Sequence, residues 1–420
     1  MKIIQINTFP YKSTGAIMMN LHGILPENGY DSYVAWGRGR DAENDHEIAF
    51  GDGLGVKLHG AYTRITDRTG FASKAATARL IKGLDEIKPD IIHLHNIHGY
   101  YVNIEMLFEY IKSHEIPLVW TLHDCWSFTG HCAWFDACGC EKWKTGCYCC
   151  PQKKTYPVSL LADASEWNYR KKKELFTGVE NAVIVTPSQW LKGLAEESFL
   201  NGYPIKLIYN GIDLKTFCPQ DEAEKIKNKF GLDNRPLILG AASEWTERKG
   251  LRDIITLAER MSKLQFAAVG LTEKQIAALP KNVKGIKRTA SVREMAQLYS
   301  AADIFFNPTY EDNFPTTNVE ALACGTPVVT YDTGGSPEVF ANCTPEQSNY
   351  AGRTVNKLAP TVGDLATAER CIEDVLSAAE KDGKEKISAY CRQAAKYYDK
   401  DQRLREYINI YESMPSPERK

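Results

Sequence analysis

A chain of 420 residues is longer than one hydrophobic core usually supports, so two domains are expected. Apolar residues at 43 % and charged residues at 25 % describe an ordinary globular protein. A net charge of −2 argues against a nucleic-acid binder, and no apolar run reaches the length needed to span a membrane.

In chain order, MKIIQINTFP is a short apolar strand without the layout of a signal peptide, which predicts a cytoplasmic protein. Strands are predicted at Lys2–Ile6, Ser32–Trp36, Ile91–Leu94, Leu118–Thr121 and Ala182–Thr186, alternating with helical patterns. Asn7–Lys12 reads as a strand-to-helix loop ahead of Ser13, Thr14 and Gly15. Between Lys57 and Lys82 stand six basic residues and one acid, Asp67, and RKKK at 170–173 forms a second basic run. Such runs are ordinarily solvated helix faces. Lying together in the first half of the chain, they also suit peripheral contact with anionic lipid headgroups or a lipid-diphosphate acceptor.

Seven of the twelve cysteines fall between Cys125 and Cys150. In a cytoplasmic chain, clustered thiols more often hold metal than form disulfides. Cys132, Cys140, Cys147 and Cys150, ending in a C-x2-C knuckle, supply four thiolates suited to a tetrahedral structural zinc, with Cys138 and Cys149 as spare ligands.

Beyond the Asn210-Gly211 turn a second series begins, with strands at Leu237–Ala241, Gln265–Val269, Val283–Ile286, Ile304–Asn307 and Pro327–Thr330. YEDNFPTTNVEALACGTPVV at 310–329 places Asp312 and Glu320 on either side of a proline-containing turn, with a helix over Asn318–Cys324. Carboxylates accept hydrogen bonds from sugar hydroxyls, and a helix N-terminus offers N–H groups to phosphate. Glu385 to Ser413 is polar with spaced Ile, Tyr and Leu, predicting amphipathic helices. In doubly wound sheets, ligands bind outside the carboxyl ends of the strands, so chemistry is expected in the loops that follow them. A nicotinamide-dependent oxidoreductase needs a G-x-G-x-x-G turn after the first strand, and NTFPYKSTGA does not provide one.

NGIDLKTFCP at 210–219, RKGL at 248–251, YSAADIFFNPT at 299–309, the 310–329 segment and GGSPE at 334–338 together resemble the family 4 glycosyltransferases of GT-B architecture. KPDIIHLHNIHGYY at 88–101 and HDCWSFTGHC at 123–132 are most similar to the exopolysaccharide and colanic-acid type. The resemblance covers essentially the whole chain. It implies an α/β protein with two Rossmann-like doubly wound domains facing an interdomain cleft. The acceptor-side domain would span 1–205, with a Cys-rich insert at 125–151, and the nucleotide-sugar domain 206–385. Helices over 386–420 would pack back toward the N-terminal domain. Relatives of this type carry similar cysteine inserts.

The resemblance also implies transfer of a sugar, with retention at the anomeric carbon, from a UDP- or GDP-sugar to a lipid-linked or growing polysaccharide acceptor. The chemistry would need no cofactor, and the protein would be cytoplasmic, at most peripheral to the membrane. Asp312 and Glu320 have the spacing of the family's E-x7-E motif, the first acid meeting the donor sugar and the second the ribose. The turn between them, Asn313, Phe314, Pro315 and Thr316, would line the donor. Lys249 matches the lysine on the donor diphosphate, where charge develops as the glycosidic bond breaks. The arginine usual five residues earlier is here Glu244, and Arg248 is the candidate replacement. His123 would position and polarise near the donor sugar, since such enzymes show no enzymic nucleophile. His95, Asn96 and His98 suit acceptor positioning or a hydrogen-bonded core equally. Gly15 sits where the family has a glycine loop, and Glu338, after Gly334-Gly335, matches an acidic position near the donor. The missing arginine and the shorter first acid leave a second reading, a catalytically weakened protein that only binds sugar nucleotides.

Overall fold

The computed structural model describes residues 1–415. The chain divides into two compact units, Met1–Tyr209 with Leu404–Lys420, and Asn210–Arg403. The helices Leu365–Asp382 and Lys384–Ala395 therefore belong to the second unit.

The first unit is built on seven parallel strands: β1 (Lys2–Asn7), β2 (Asp31–Trp36), β3 (Glu47–Ala49), β4 (Ile91–Leu94), β5 (Leu118–Thr121), β6 (Ala182–Thr186) and β7 (Ile205–Leu207). Their order is β3-β2-β1-β4-β5-β6-β7. The central strands, IIHL and LVWT, are buried along their whole length, as expected where helices cover both faces of a parallel sheet. Leu404, Tyr407, Ile408 and Tyr411, from the end of the Lys400–Ser413 helix, pack with Ile3, Leu21, Ile91, Val119 and Val185.

The second unit repeats the plan with six parallel strands: β8 (Leu237–Ala241), β9 (Gln265–Val269), β10 (Val283–Ile286), β11 (Ile304–Asn307), β12 (Val328–Tyr331) and β13 (Gly352–Val355). Their order is β10-β9-β8-β11-β12-β13. In each sheet the winding reverses, between β1 and β4 and between β8 and β11. Such a switch point opens a crevice at the carboxyl ends of the strands.

Three edge strands, β3, β7 and β13, are additions to the sequence reading. So is a small antiparallel pair, Lys357–Ala359 with Val362–Gly363. The helix after β1 starts at Lys12, so Gly15 lies in its first turn rather than in a loop. A Cβ at Gly15 would lie 2.5 Å from the Phe9 carbonyl oxygen, so close packing against the preceding loop requires glycine there. Between β5 and the Ser165–Phe176 helix the chain forms only three short 3-10 turns: Trp126–Phe128, Asp136–Cys138 and Lys142–Lys144.

Candidate active site

In the second unit, two loops leave the carboxyl ends of adjacent strands β8 and β11 and are laced together. The Tyr310 N–H donates to the Arg248 carbonyl at 2.7 Å. The Arg248 guanidinium donates back to the Glu311 carbonyl at 2.7 Å. Gly250 is held at φ +72°, and a Cβ there would stand 2.1 Å from the Pro308 carbonyl oxygen. Only glycine allows this approach. Below the loops, buried Asp253 accepts hydrogen bonds from Tyr310 (2.6 Å) and Tyr331 (2.5 Å).

This lacing brings Lys249 and Asp312 into an ion pair. Their side chains are 19 % and 15 % exposed, enough to meet a ligand and too little for full screening by water. The second oxygen of Asp312 accepts the Asn313 N–H at 3.0 Å. The Asn313 carbonyl accepts the Gly335 N–H at 2.7 Å, tying in the glycine pair. Phe314 is buried against Tyr398, with ring centroids 5.4 Å apart. Pro315 then starts the Thr316–Ala323 helix, whose N-terminus no side chain caps. Its N–H groups and dipole suit an anion.

Inside that helix, Glu320 accepts a 3.0 Å hydrogen bond from the Tyr299 hydroxyl. Burial raises its pKa, and hydrogen bonds from Tyr299 and Thr316 oppose the rise. The fully buried Asn318 joins three elements: its side-chain oxygen accepts from Asn307 on β11 at 2.8 Å, and its amide donates to the Ser336 carbonyl at 3.4 Å. Glu338 lies half-buried in the Ser336–Phe340 turn, fixed through its carbonyl by the Tyr398 hydroxyl at 2.6 Å. The hydroxyls of Thr333 and Ser336, on either side of Gly334-Gly335, are buried without a partner. Tyr299 opens the YSAADIFFNPT segment and Ser336 lies within GGSPE, but the sequence reading gave neither of them, nor Thr333, a role. The signal available was position alone, since Thr333 and Ser336 follow β12.

In the first unit, the ends of β4 and β5 carry histidines. His93 bridges the Tyr411 hydroxyl (2.6 Å) and Thr121 (2.8 Å). His95 bridges Gln5 Oε1 (3.2 Å) and His123 Nε2 (3.2 Å). Gln5 donates its amide to the Met18 carbonyl, so its oxygen must accept from His95 Nε2–H. A neutral His95 then presents Nδ1 as an acceptor. His123 must donate its Nε2 proton to it, leaving Nδ1 as its acceptor atom. Burial lowers the pKa of His123 to about 4, so this tautomer is neutral at ordinary pH. Burial also holds His95 well below its usual value. His98 contacts Asp124 and the Tyr156 hydroxyl, both at 2.9 Å. A small cavity is lined by His95, Asn96, His98, His123, Asp124 and Trp126. His95, His98 and His123 are thus one cluster, and the Asn96 carbonyl holds Thr8 and Tyr101 beside it.

The expected zinc site is not supported. Cys132, Cys140, Cys147 and Cys150 line one small cavity. Among the described residues, however, no group of three or more His, Cys, Asp or Glu is arranged to hold a metal ion. Burial pushes the Cys147 thiol up to about 11, and a hydrogen bond with Cys150, with burial, raises Cys132. The same hydrogen bond lowers the Cys150 thiol to about 7, so one thiol of the group is held close to its thiolate form. The second basic run is only partly at the surface. Lys172 is 1 % exposed and donates to the Trp126 and Thr129 carbonyls at 2.7 and 3.0 Å. Lys171 pairs with Glu105 and Glu174, which leaves Arg170 and Lys173 as the exposed cations of the run.

Two doubly wound parallel sheets of this order, each with helices, are the Rossmann-like pair of the GT-B glycosyltransferases. The whole chain matches the fold of sucrose-phosphate synthase from Thermosynechococcus elongatus, with a TM-score of 0.71, 15 % identity and 98 % of each chain covered. It also matches Anabaena Alr3699/HepE in complex with UDP-glucose, with a TM-score of 0.65, 17 % identity, and 98 % and 100 % of the two chains covered. The model for Glycosyltransferase Family 4 matches residues 15–216, and that for Glycosyl transferases group 1 matches residues 222–347. The chain belongs to glycosyltransferase family 4. It is 24 % identical to the putative colanic acid biosynthesis glycosyl transferase WcaC of Escherichia coli (strain K12), over 99 % of this chain and 100 % of the relative. Among the described residues no helix is long and apolar enough to cross a membrane.

Proposed function

We propose that the chain transfers a sugar, with retention at the anomeric carbon, from a UDP- or GDP-sugar to a lipid-linked or growing polysaccharide acceptor. The observation that carries this reading is the Lys249–Asp312 pair, beyond the switch-point strands β8 and β11 and close in sequence to an uncapped helix N-terminus. A lone lysine on a surface would say little. A lysine kept in place by a carboxylate, which a diphosphate can replace, is a poised anion site. Asp312, released from Lys249, is then available to sugar hydroxyls, and Glu320 to the ribose.

Arg248, Asn313, Phe314, Pro315, Thr316 and Glu338 shape the donor pocket, together with the unpartnered hydroxyls of Thr333 and Ser336. The leaving diphosphate is stabilised by Lys249, and the reaction as proposed needs no metal. His123, neutral and with Nδ1 as its acceptor atom, positions and polarises. Gly15 serves packing of the loop after β1 and contacts the donor at most through backbone. The likeness to a colanic acid enzyme supports a polysaccharide acceptor. A lipid-linked acceptor would place the protein at the cytoplasmic face of a membrane, peripherally attached.

One observation favours a binding-only protein. Position 244 is Glu where the resemblance expects Arg, and the Arg248 guanidinium is turned onto the Glu311 carbonyl. Incubation with UDP-, GDP- and ADP-sugars and membrane extract separates the two readings. Acceptor-dependent release of one nucleotide is expected. Tight donor binding with no release from any donor would favour the binding-only reading.

A further inference from the structure

The helix Gly53–Thr66 is inverted relative to an ordinary surface helix. Its buried face is His59, Gly60 and Thr63. Leu54, Leu58, Ala61 and Ile65, at i, i+4, i+7 and i+11, form one stripe on the opposite, exposed side. Leu54, Leu58 and Ile65 are 69 %, 61 % and 55 % exposed. A core-facing helix shows such a stripe only toward the interior.

The stripe is extended by a second segment. The N–H groups of Leu160 and Leu161 donate to the Arg64 carbonyl at 2.8 and 3.4 Å, and that of Ala162 to the Ile65 carbonyl at 3.2 Å. This fixes two further leucines, 64 % and 71 % exposed, at the helix's C-terminal end. Lys57 and Arg64 are exposed along one flank. Arg68 lies on the Trp167 ring at 4.3 Å, and the Lys153 ammonium bonds the Leu161 carbonyl at 3.2 Å.

The adjoining acids are engaged elsewhere. Asp52 pairs with Arg79, buried Asp67 with His131, and Asp163 accepts from Cys150 and Ser165. Glu166, on the next helix, is exposed and does not outweigh the cations. Aliphatic side chains over a basic flank are the signature of a helix lying in a lipid interface, where Leu enters the acyl boundary and Lys and Arg meet anionic headgroups. A protein-binding patch of this size is ordinarily centred on aromatic anchors and is poor in lysine.

We propose that Leu54, Leu58, Ile65, Leu160 and Leu161, with Lys57, Arg64 and Arg68, form a docking face for an anionic lipid bilayer. The first unit carries it alone, and nothing in it depends on the donor site. Of the two basic runs legible in the sequence, it selects the one that begins at Lys57, on the Gly53–Thr66 helix, over RKKK.

The test is co-sedimentation of the full chain with vesicles of phosphatidylglycerol and phosphatidylcholine, against phosphatidylcholine alone. Binding to the anionic vesicles that weakens with salt is expected. Leu58→Glu with Leu161→Glu should lower vesicle partitioning roughly tenfold or more, with UDP binding and thermal melting unchanged. Lys57→Glu with Arg64→Glu should weaken binding to anionic vesicles selectively. No vesicle binding, or binding indifferent to both pairs, overturns the proposal. So does a concentration-dependent dimer that the leucine pair abolishes, which would assign the face to a second copy of the chain.

Discussion

The two units share one sheet plan, and the carboxyl ends of their switch-point strands carry opposite chemistries. In the first unit the strand ends hold imidazoles. Tyr407 and Tyr411 from the last helix close over them, and His93 and His95 are almost fully buried. In the second unit the corresponding ends hold Lys249, Asp312 and Glu320, and the Thr316–Ala323 helix starts there with an uncapped N-terminus. Burial therefore separates the two sets: it keeps the rings neutral in the first unit, and it leaves the Lys249–Asp312 ion pair of the second partly exposed. All nine histidines fall in the first unit, which makes the contrast a property of the whole chain.

The sharpest way to break that comparison is at Lys249. Lys249→Ala should lower transfer by about 10²–10³-fold, the scale of removing one preorganised charge-stabilising group. Its ion pair with Asp312 is partly exposed, so melting should move little, by about 1 kcal/mol or less. Initial rates with the donor found in the panel, beside a denaturant titration, give both quantities. Wild-type rates in Lys249→Ala would mean that the charged strand ends of the second unit are not where the donor is held.

Acid distinguishes the units next. Burial lowers the pKa of His93 to about 3 and that of His59 to about 4, against an ordinary value of 6.5. His59 Nε2 also accepts the Gly70 N–H at 3.1 Å, a bond that a ring proton would destroy. Between pH 6.5 and about 4 the unfolded chain therefore binds protons that the folded chain refuses. Stability falls as pH falls through this window, by about 1.4 kcal/mol per pH unit for each ring. Hydrogen exchange at pH 7 and pH 5 should show protection lost first in the first unit. Equal loss in both units would contradict the assignment of the pH dependence to these rings.

Much of this was legible before the fold, and the reasons differ by element. IIHL and IFFN are short apolar runs bounded by polar or turn residues and LVWT begins directly after Pro117, and the limits of all three strands are those of the sequence reading. EIA, IKL and GRTV are edge strands of three or four residues, too short and too polar to show a period. They are strands because a neighbour pairs with them. The types and spacing of Lys249, Asp312 and Glu320 were readable, but the ion pair joins residues 63 apart and exists because β8 lies beside β11. Cysteine spacing grouped Cys132, Cys140, Cys147 and Cys150, and the fold does bring these four to line one cavity. Lys172 could have been placed inside, since Tyr169, Lys172, Leu175 and Phe176 share one helical face.

The smallest expected effect tests whether the second unit's acids work as a set. The Tyr299 hydroxyl touches Glu320 from below, and burial and this hydrogen bond act oppositely on the carboxyl. Tyr299→Phe removes a bond to the charged form only, so the Glu320 pKa should rise further. A carboxylate that protonates at higher pH stops accepting from a ribose hydroxyl sooner as the solution is acidified. The acid limb of UDP or GDP binding should therefore shift to higher pH, with affinity at pH 7 weakened by about 1 kcal/mol, roughly fivefold. A purely structural tyrosine would lower stability and leave that limb where it is. Glu320→Gln separates the cases, because it cannot titrate: its binding should be flat across the same pH range. If Tyr299→Phe moves the limb and Glu320→Gln abolishes it, Glu320 is the group that meets the nucleotide. If the limb survives Glu320→Gln, another acid of the loop, Asp312 first, must carry it.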